Sequence, residues 1–209
     1  VLYRMNSQSL MFERMFAKHG IPHRIIGGTR FFDRLEVKDM IAYLAVINNP
    51  NDEIRLRRII GRPKRGIGER TVDNAFQIAG QVGESFFETI SHAKDYPMLS
   101  RAANRLAEFS ELISDLIRFS EAEGHSLNDL YLYLLEKTDY IEFLRADDPE
   151  KAQDRVENVE ELSSMILRYE ENEGASLSGF LEEVSLYTDI DNYDSGSDAV
   201  VLMTVHSAK

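Results

Sequence analysis

The chain has 209 residues, a formal net charge of −12 and no cysteine. This length suits one or two domains with a buried core, and the lack of cysteine excludes disulfides and thiolate metal sites. No run of about 18 apolar residues and no signal peptide is visible, so we expect a cytoplasmic protein without a membrane span. Apolar runs at both ends, in residues 1–3 and 199–203, predict a piece of a larger protein.

The strands predicted from the sequence lie near the two ends of the chain. Residues 1–4 form a short apolar run, a helix starts after Asn6-Ser7, and residues 21–26 form a second strand. Such a strand–helix–strand opening is typical of an α/β sheet. Residues 199–204 return to strand character, so the pattern predicts a helical domain inserted into a sheet domain.

The middle of the chain has a helical pattern throughout. A capping-box-like start at Asp33 with Glu36 leads a helix that ends at Asn49-Pro50. Gly and Ser mark further helix ends and starts. The predicted helices lie at 33–48, 52–60, 69–80, 84–93, 98–122 and 150–173.

Two turns in this helical region have similar sequences. Residues 121–127 read Glu-Ala-Glu-Gly-His-Ser-Leu, and residues 171–177 read Glu-Asn-Glu-Gly-Ala-Ser-Leu. Each turn places a Gly stop two residues before a Ser N-cap. Either a duplicated unit or two unrelated helix–loop–helix turns with the same stop and start residues explains this similarity, and the second explanation is favoured.

No metal site is predicted. The acidic segment 189–198 lacks the Gly and Glu of a calcium loop, because Asp194 and Val200 stand at those positions. It is predicted to be a solvated linker. His19, His23, His92 and His125 share no ligand spacing.

Positive charge is concentrated at the start of the chain. Residues 1–70 hold 14 Lys and Arg against 7 Asp and Glu, a net of +7; residues 71–209 hold 10 against 29, a net of −19. Because binding depends on the local potential, this asymmetry predicts a basic working face on an acidic body.

The most basic segment, residues 55–71, has seven Lys or Arg and one Glu around Gly66-Ile67-Gly68. A Gly–hydrophobic–Gly turn between helices is typical of helix-hairpin-helix motifs, which hold nucleic-acid backbone. The glycines let the main chain approach a phosphate, and Ile67 anchors the turn. Lys64, Arg65, Arg70 and the Thr71 hydroxyl are the predicted phosphate contacts. A solvated helix connector is the alternative.

This segment, Arg62-Pro63-Lys64-Arg65-Gly66-Ile67-Gly68 with Thr71, resembles the inserted subdomain (2B) of UvrD/PcrA/Rep helicases. Residues 27–39 and 42–50 resemble the same subdomain. Residues 2–9 are similar to motif IV of the family, and residues 202–209 (Leu-Met-Thr-Val-His-Ser-Ala-Lys) match the opening of its motif V. These signatures occur in the family's order and spacing.

The resemblance implies a mainly α fold: a helical insert with a helix-hairpin-helix-like turn, attached to a small α/β remnant of a RecA-like motor domain. Residues 1–29 and 198–209 would be the partial second motor domain (2A), and residues 30–197 the insert (2B). It also implies a helicase that couples hydrolysis of ATP, with Mg²⁺, to 3′-to-5′ movement on DNA.

Two groups of DNA contacts follow from the resemblance. Arg4, Asn6, Thr204 and His206 would line the single-strand channel, and Lys209 would hold phosphate or the domain interface. The turn would grip duplex through Lys64, Arg65, Gly66, Ile67, Gly68, Arg70 and Thr71. Arg30 and the turn at Gly27-Gly28 would add to that grip.

The sequence departs from the family pattern in several places. Leu10 stands where the family usually has Arg after Gln-Ser. No Gly-x-x-x-x-Gly-Lys-[Ser/Thr] phosphate loop occurs, and neither the acidic Mg²⁺ motif nor motif VI is present. We therefore expect no catalytic residue, no bound cofactor and no ATPase activity in the chain alone.

Three other functions remain open. The first alternative is a helix-hairpin-helix DNA-binding module without a motor, although such a module needs no motif IV or motif V flanks. The helicase subunit of a recombination nuclease complex is a second alternative. The acidic helices of residues 98–190 would also suit docking of a repair or replication protein.

Overall fold

A computed structural model describes residues 1–4, 8–26, 29–190 and 199–208. Helices predominate in these ranges, and their β-structure is one three-stranded parallel sheet. The mainly α class predicted from the sequence is therefore confirmed. Of the helices described, none combines the length and apolar character that crossing a membrane requires.

The sheet joins the two ends of the chain. Its strands are β1 (Leu2–Tyr3), β2 (His23–Ile26) and β3 (Val200–Thr204), and their order is β1-β3-β2. Both pairings are parallel. The last strand thus lies between the first two, and the long helical stretch leaves the sheet after β2 and returns at β3.

The chain divides into two compact units. Residues 1–40 and 144–209 form one, here called the sheet unit, and residues 41–143 form the other, here called the helical unit. The domain boundaries predicted from the sequence, at 29/30 and 197/198, concern where an insertion begins and ends. The two compact units are defined by contacts between residues, whereas the predicted boundaries mark where one domain is inserted into another. The predicted boundaries therefore stay predictions.

In the sheet unit, helices accompany the three strands. They are α1 (Ser9–Lys18), the beginning of α2 (Leu35–Asn48), the end of α8 (Tyr140–Asp147), α9 (Ala152–Glu170) and α10 (Leu177–Ile190). Helix α2 begins two residues later than predicted, because Asp33 belongs to a short 3-10 helix, Phe31–Asp33. Glu36 is buried and accepts a hydrogen bond from Asn158, at 2.6 Å.

A buried polar network is centred on Arg34 of the sheet unit. Its guanidinium donates to Asn158 Oδ1 at 2.6 Å and to Ser9 Oγ at 2.8 Å. Burial lowers the pKa of Arg34, and the nearby carboxylates of Glu13 and Glu36 oppose that shift. The network connects α1, α9 and the chain that leads into α2 through one cation.

The helical unit contains most of α2 and the first half of α8, together with five further α-helices. These are α3 (Glu53–Ile59), α4 (Glu69–Val82), α5 (Phe86–Ser91), α6 (Ala103–Glu121) and α7 (Leu127–Lys137). Side-chain caps define several starts: Asp52 accepts from the Arg55 N–H, and Ser85 forms a capping box with Glu88. The fully buried aromatic side chains Tyr43, Phe86, Phe109 and Tyr131 lie in its core.

The two similar turns follow helices of equal length. Both α6 and α9 have 19 residues, and each is followed by a glycine with positive φ, Gly124 (91°) and Gly174 (76°). The likeness extends into the helices. Each carries an exposed ion pair at 2.9 Å in equivalent positions: Arg118 with Glu111, and Arg168 with Glu161.

Candidate nucleic-acid interface

The segment from residue 62 to residue 71, here called the basic turn, connects α3 to α4 in the helical unit. Ile67 is 9% exposed, whereas Gly66 and Gly68 on either side of it are exposed. An apolar side chain therefore anchors the turn from inside, and the glycine backbone faces solvent. Its classification as a helix-hairpin-helix turn stays a prediction.

The main chain at Gly68 is accessible to a ligand from solvent. It is the N-cap of α4, with φ −81° and ψ 157°, and a Cβ placed on it would meet nothing within 4 Å. The first N–H groups of a helix lack partners within the helix and carry partial positive charge. An anion can thus reach the start of α4 without steric hindrance from residue 68.

Arg65 braces the turn from within. Its guanidinium donates to the carbonyls of Ile59 and Pro63, both at 3.1 Å, and to the Tyr43 hydroxyl at 2.6 Å. It also lies 5.2 Å from the ring centre of Phe109. The sequence predicted a phosphate contact here; the half-buried side chain instead directs its donors at the protein, and the DNA contact stays a prediction.

The other predicted contacts lie on the outside of the turn. Lys64 and Arg70 are exposed, and Thr71 is half-buried in the first turn of α4. Arg57 on α3 is paired with carboxylates, those of Asp73 and, at 3.6 Å, of Glu69. The charge of Arg57 is therefore compensated locally by the first residues of α4.

Sequence reasoning missed one cation at the turn. Arg105 of α6 donates from Nη1 to the Gly66 carbonyl oxygen at 3.0 Å, across 39 residues of sequence. No local pattern signals this contact, because a helical arginine 39 residues away reaches the turn only through the packing of α6. The side chain is exposed.

In the sheet unit, the structure brings two of the predicted single-strand contacts together. Tyr3 of β1 is in register with Thr204 of β3, and Arg4 follows directly after β1. The carboxyl ends of parallel strands share one edge of a sheet, which is where α/β sheets commonly bind ligands. Arg4 is exposed, and its backbone N–H donates to Gln8 Oε1 at 3.0 Å.

A cleft of about 960 Å³ runs along α1 beside this edge. Arg4 lines it together with three further cationic side chains, Arg14, Lys18 and Arg168. Leu10, which replaces the arginine usual in the family, is 1% exposed. An apolar side chain at position 10 thus belongs to the core of the unit.

Most of the remaining predicted contacts lie outside the residues that the structure describes. Asn6, Lys209 and the turn at Gly27-Gly28 lie outside the described residues, as does the side chain of His206. Arg30 is half-buried and precedes the 3-10 helix of the sheet unit. The roles of these residues in DNA binding stay predictions.

Comparison with known proteins identifies the family. The chain matches the UvrD-like helicase C-terminal domain over residues 1–209. It is 38% identical over 216 residues to the ATP-dependent DNA helicase PcrA of Bacillus subtilis, and 38% identical over 212 residues to that of Staphylococcus aureus. Each alignment covers 100% of this chain and 29% of the relative. The chain therefore belongs to the UvrD-like helicase C-terminal domain family.

Proposed function

We propose that this chain is part of an ATP-dependent DNA helicase that moves 3′ to 5′, and that the basic turn holds duplex backbone ahead of the fork. One observation carries the duplex contact: Ile67 is buried between two exposed glycines in a cationic segment. The name of the relatives, ATP-dependent DNA helicase PcrA, supports the motor activity of the whole protein. The polarity rests on the family resemblance.

The turn suits the DNA backbone better than the bases. Main-chain N–H groups at the start of α4 and the solvent-facing side chains of Lys64 and Arg70 match phosphate oxygens. Such contacts are the same for every base pair, so binding is independent of sequence. This suits an enzyme that must move along any duplex.

The sheet edge is the proposed contact for single-stranded DNA. Arg4 offers a guanidinium for phosphate beside Thr204, and Asn6, His206 and Lys209 complete the proposed channel. In this proposal residues 1–29 and 198–209 belong to the motor domain, and residues 30–197 form its insert. The channel and the basic turn thus serve different strands of the substrate.

The residues of this chain do not fit ATP and Mg²⁺. The sequence has no phosphate loop, and the described residues contain no group of three or more His, Asp or Glu side chains arranged to hold a metal ion. No step of ATP hydrolysis is therefore assigned to them. We expect the 209-residue chain to bind DNA without hydrolysing ATP, and the hydrolytic residues to lie elsewhere in the whole protein.

Binding to a duplex with a 3′ single-stranded tail tests the role of the turn. Replacing Lys64 and Arg70 together by Gln should weaken binding, and should flatten the plot of log K against log salt by about two units, since each lost phosphate contact contributes about 0.9. The matched control replaces Arg118 and Lys137, which pair with Asp115, by Gln. Equal slopes for the two double variants would rule out the turn as a duplex contact.

The alternatives predict different behaviour of the full-length protein. A DNA-binding module without a motor would not unwind a 3′-tailed duplex with ATP, whereas the proposed helicase would, and would leave a 5′-tailed duplex intact. The family match over the whole chain, including both flanks, favours the helicase. Relatives named PcrA favour it over the helicase subunit of a nuclease complex, which would also degrade the DNA.

A further inference from the structure

Arg105 lies where α6 meets the basic turn, and its surroundings differ from those of an ordinary surface arginine. Its Nη1 donates to the Gly66 carbonyl oxygen at 3.0 Å. A Cβ placed on Gly66 would lie 3.4 Å from both the guanidinium carbon and Nε. The guanidinium therefore lies directly against the exposed backbone of the turn.

The charge of Arg105 is not neutralised by the residues around it. Its only hydrogen bond to a described residue is to a carbonyl, and no carboxylate of the described residues lies within 4.0 Å of it. Arg118, on the same helix, is paired with both Glu111 and Asp115. In a chain of net charge −12, an arginine without an ionic partner is a marked local source of positive potential.

The hydrogen bond to Gly66 leaves most of the donors of Arg105 unused. A guanidinium has five N–H donors in a planar fork, and one of them serves the Gly66 carbonyl. The side chain is exposed, and no described residue accepts a hydrogen bond from the others. A phosphate that approaches the turn can accept two of them side by side, the geometry that arginine favours.

We propose that Arg105 is both a positioning residue and a phosphate contact of the interface formed by the basic turn. One N–H holds the Gly66 carbonyl and so fixes the orientation of the peptide group before Ile67. The remaining donors bind a backbone phosphate of the duplex held at Gly68. This inference rests on the proposed function, and it adds a phosphate contact from α6 to those of the basic turn.

The structure also supplies a close control for this proposal. Arg118 and Arg105 are both exposed residues of α6, and replacing either removes one positive charge. They are 13 residues apart, or about 20 Å along the helix. That is more than two screening lengths at physiological salt, roughly 8 Å each, so the loss of Arg118 should not be felt at the turn.

The test compares Arg105→Ala, Arg105→Lys and Arg118→Ala in the 209-residue chain, with a fluorescent duplex carrying a 3′ tail at several salt concentrations. Arg105→Ala should raise the Kd about tenfold, as expected for one charge-assisted contact, and flatten the salt dependence by about one unit. Arg105→Lys should keep the salt slope but weaken binding, because one ammonium cannot serve both the carbonyl and a phosphate in fork geometry. Arg118→Ala should change neither.

Thermal unfolding separates this role from a purely structural one. Because the contact with Gly66 is exposed, Arg105→Ala should unfold within a degree or two of the parent chain. A large fall in the unfolding temperature with an unchanged salt slope would overturn the proposal and leave Arg105 as a brace.

The failure of this inference is distinguishable from failure of the proposed function. If the Lys64 and Arg70 double variant loses affinity while Arg105→Ala behaves like Arg118→Ala, the turn binds duplex and Arg105 has no part in it. If the double variant also binds like its control, the duplex role of the turn is wrong and the inference about Arg105 is wrong with it.

Discussion

Arg34 in the sheet unit and Arg65 in the helical unit both direct their donors at the protein, but the two side chains have different electrostatic surroundings. Arg34 of the sheet unit is 8% exposed and donates to Asn158; burial lowers its pKa, and the charges of the nearby Glu13 and Glu36 carboxylates oppose that shift. Arg65 of the helical unit is half-buried, and its described partners are carbonyls, a hydroxyl and aromatic rings.

The comparison shows that satisfying an arginine's hydrogen bonds is different from neutralising its charge. The carboxylates near Arg34 compensate its charge locally, so it holds the unit together without creating a binding surface. The neutral partners of Arg65 stabilise the turn but leave its positive charge to act on the surroundings. Arginine thus stabilises the fold of the sheet unit, and it contributes positive surface potential in the helical unit.

Removing the compensated arginine should have the largest effect on folding. Arg34→Met leaves the buried carboxylate of Glu13 without this cation and leaves Arg155, 3.6 Å from Glu36, as the cation beside that carboxylate, so the free energy of unfolding should fall by about 3–5 kcal/mol. Urea denaturation measures this change. The control, Arg168→Met, breaks an exposed pair with Glu161 and should cost less than about 1 kcal/mol. Similar losses in the two variants would contradict the compensated network.

The conformation of Gly66 predicts the next largest effect. Its φ of +67° is unfavourable for residues with a Cβ, so Gly66→Ala should lower stability by about 1–2 kcal/mol. Gly80→Ala is the control, because Gly80 lies in α4 with nothing within 4 Å of an added Cβ. That change should stabilise the chain by about 0.5–1 kcal/mol. Thermal unfolding of both variants should therefore give shifts of opposite sign.

Arg65→Lys separates the two contributions of Arg65. Lysine keeps the charge but cannot reach Tyr43 and the two carbonyls together, so stability should fall by about 1 kcal/mol while the salt slope of DNA binding is retained. Arg65→Met should lose a similar amount of stability and also weaken DNA binding. A salt slope that changes equally in both variants would show that the charge of Arg65 does not reach the DNA.

Gly68→Ser should have the smallest effect on folding. Serine is at least as good an N-cap as glycine, and its side chain has open space, so stability should change by less than about 0.5 kcal/mol. The same side chain would stand between the main chain and an approaching phosphate, and the Kd for duplex should rise. Unchanged affinity would show that DNA does not approach the backbone at Gly68.

Local sequence signals predicted much of the fold. Asp52 and Ser85 cap the helices that follow them, and the strands at 2–3, 23–26 and 200–204 lie within the predicted segments. These features depend on residues a few positions apart. The capping box predicted at Asp33 does not form, because α2 begins at Leu35. The Glu36 carboxylate instead accepts a hydrogen bond from Asn158, 122 residues away.

The candidate site was predicted only in part, because some of its contacts join residues that are distant along the chain. The pattern of Gly66, Ile67 and Gly68 indicated an anchored turn, and Ile67 is buried as expected. The sequence treated Lys64 and Arg65 alike, yet one is exposed and the other is half-buried against Tyr43. Nothing near residue 105 indicated a contact with the turn.

The sequence by itself determined most of the helices, the strands, the basic segment and the family, because these depend on the spacing of nearby residues or on ordered motifs; no range was predicted for α7, α8 or α10. The tertiary structure decided that β3 lies between β1 and β2, which arginines are compensated, and that α6 reaches Gly66. Strand order and electrostatic potential depend on groups that are distant along the chain and adjacent in space. Only packing brings those groups together.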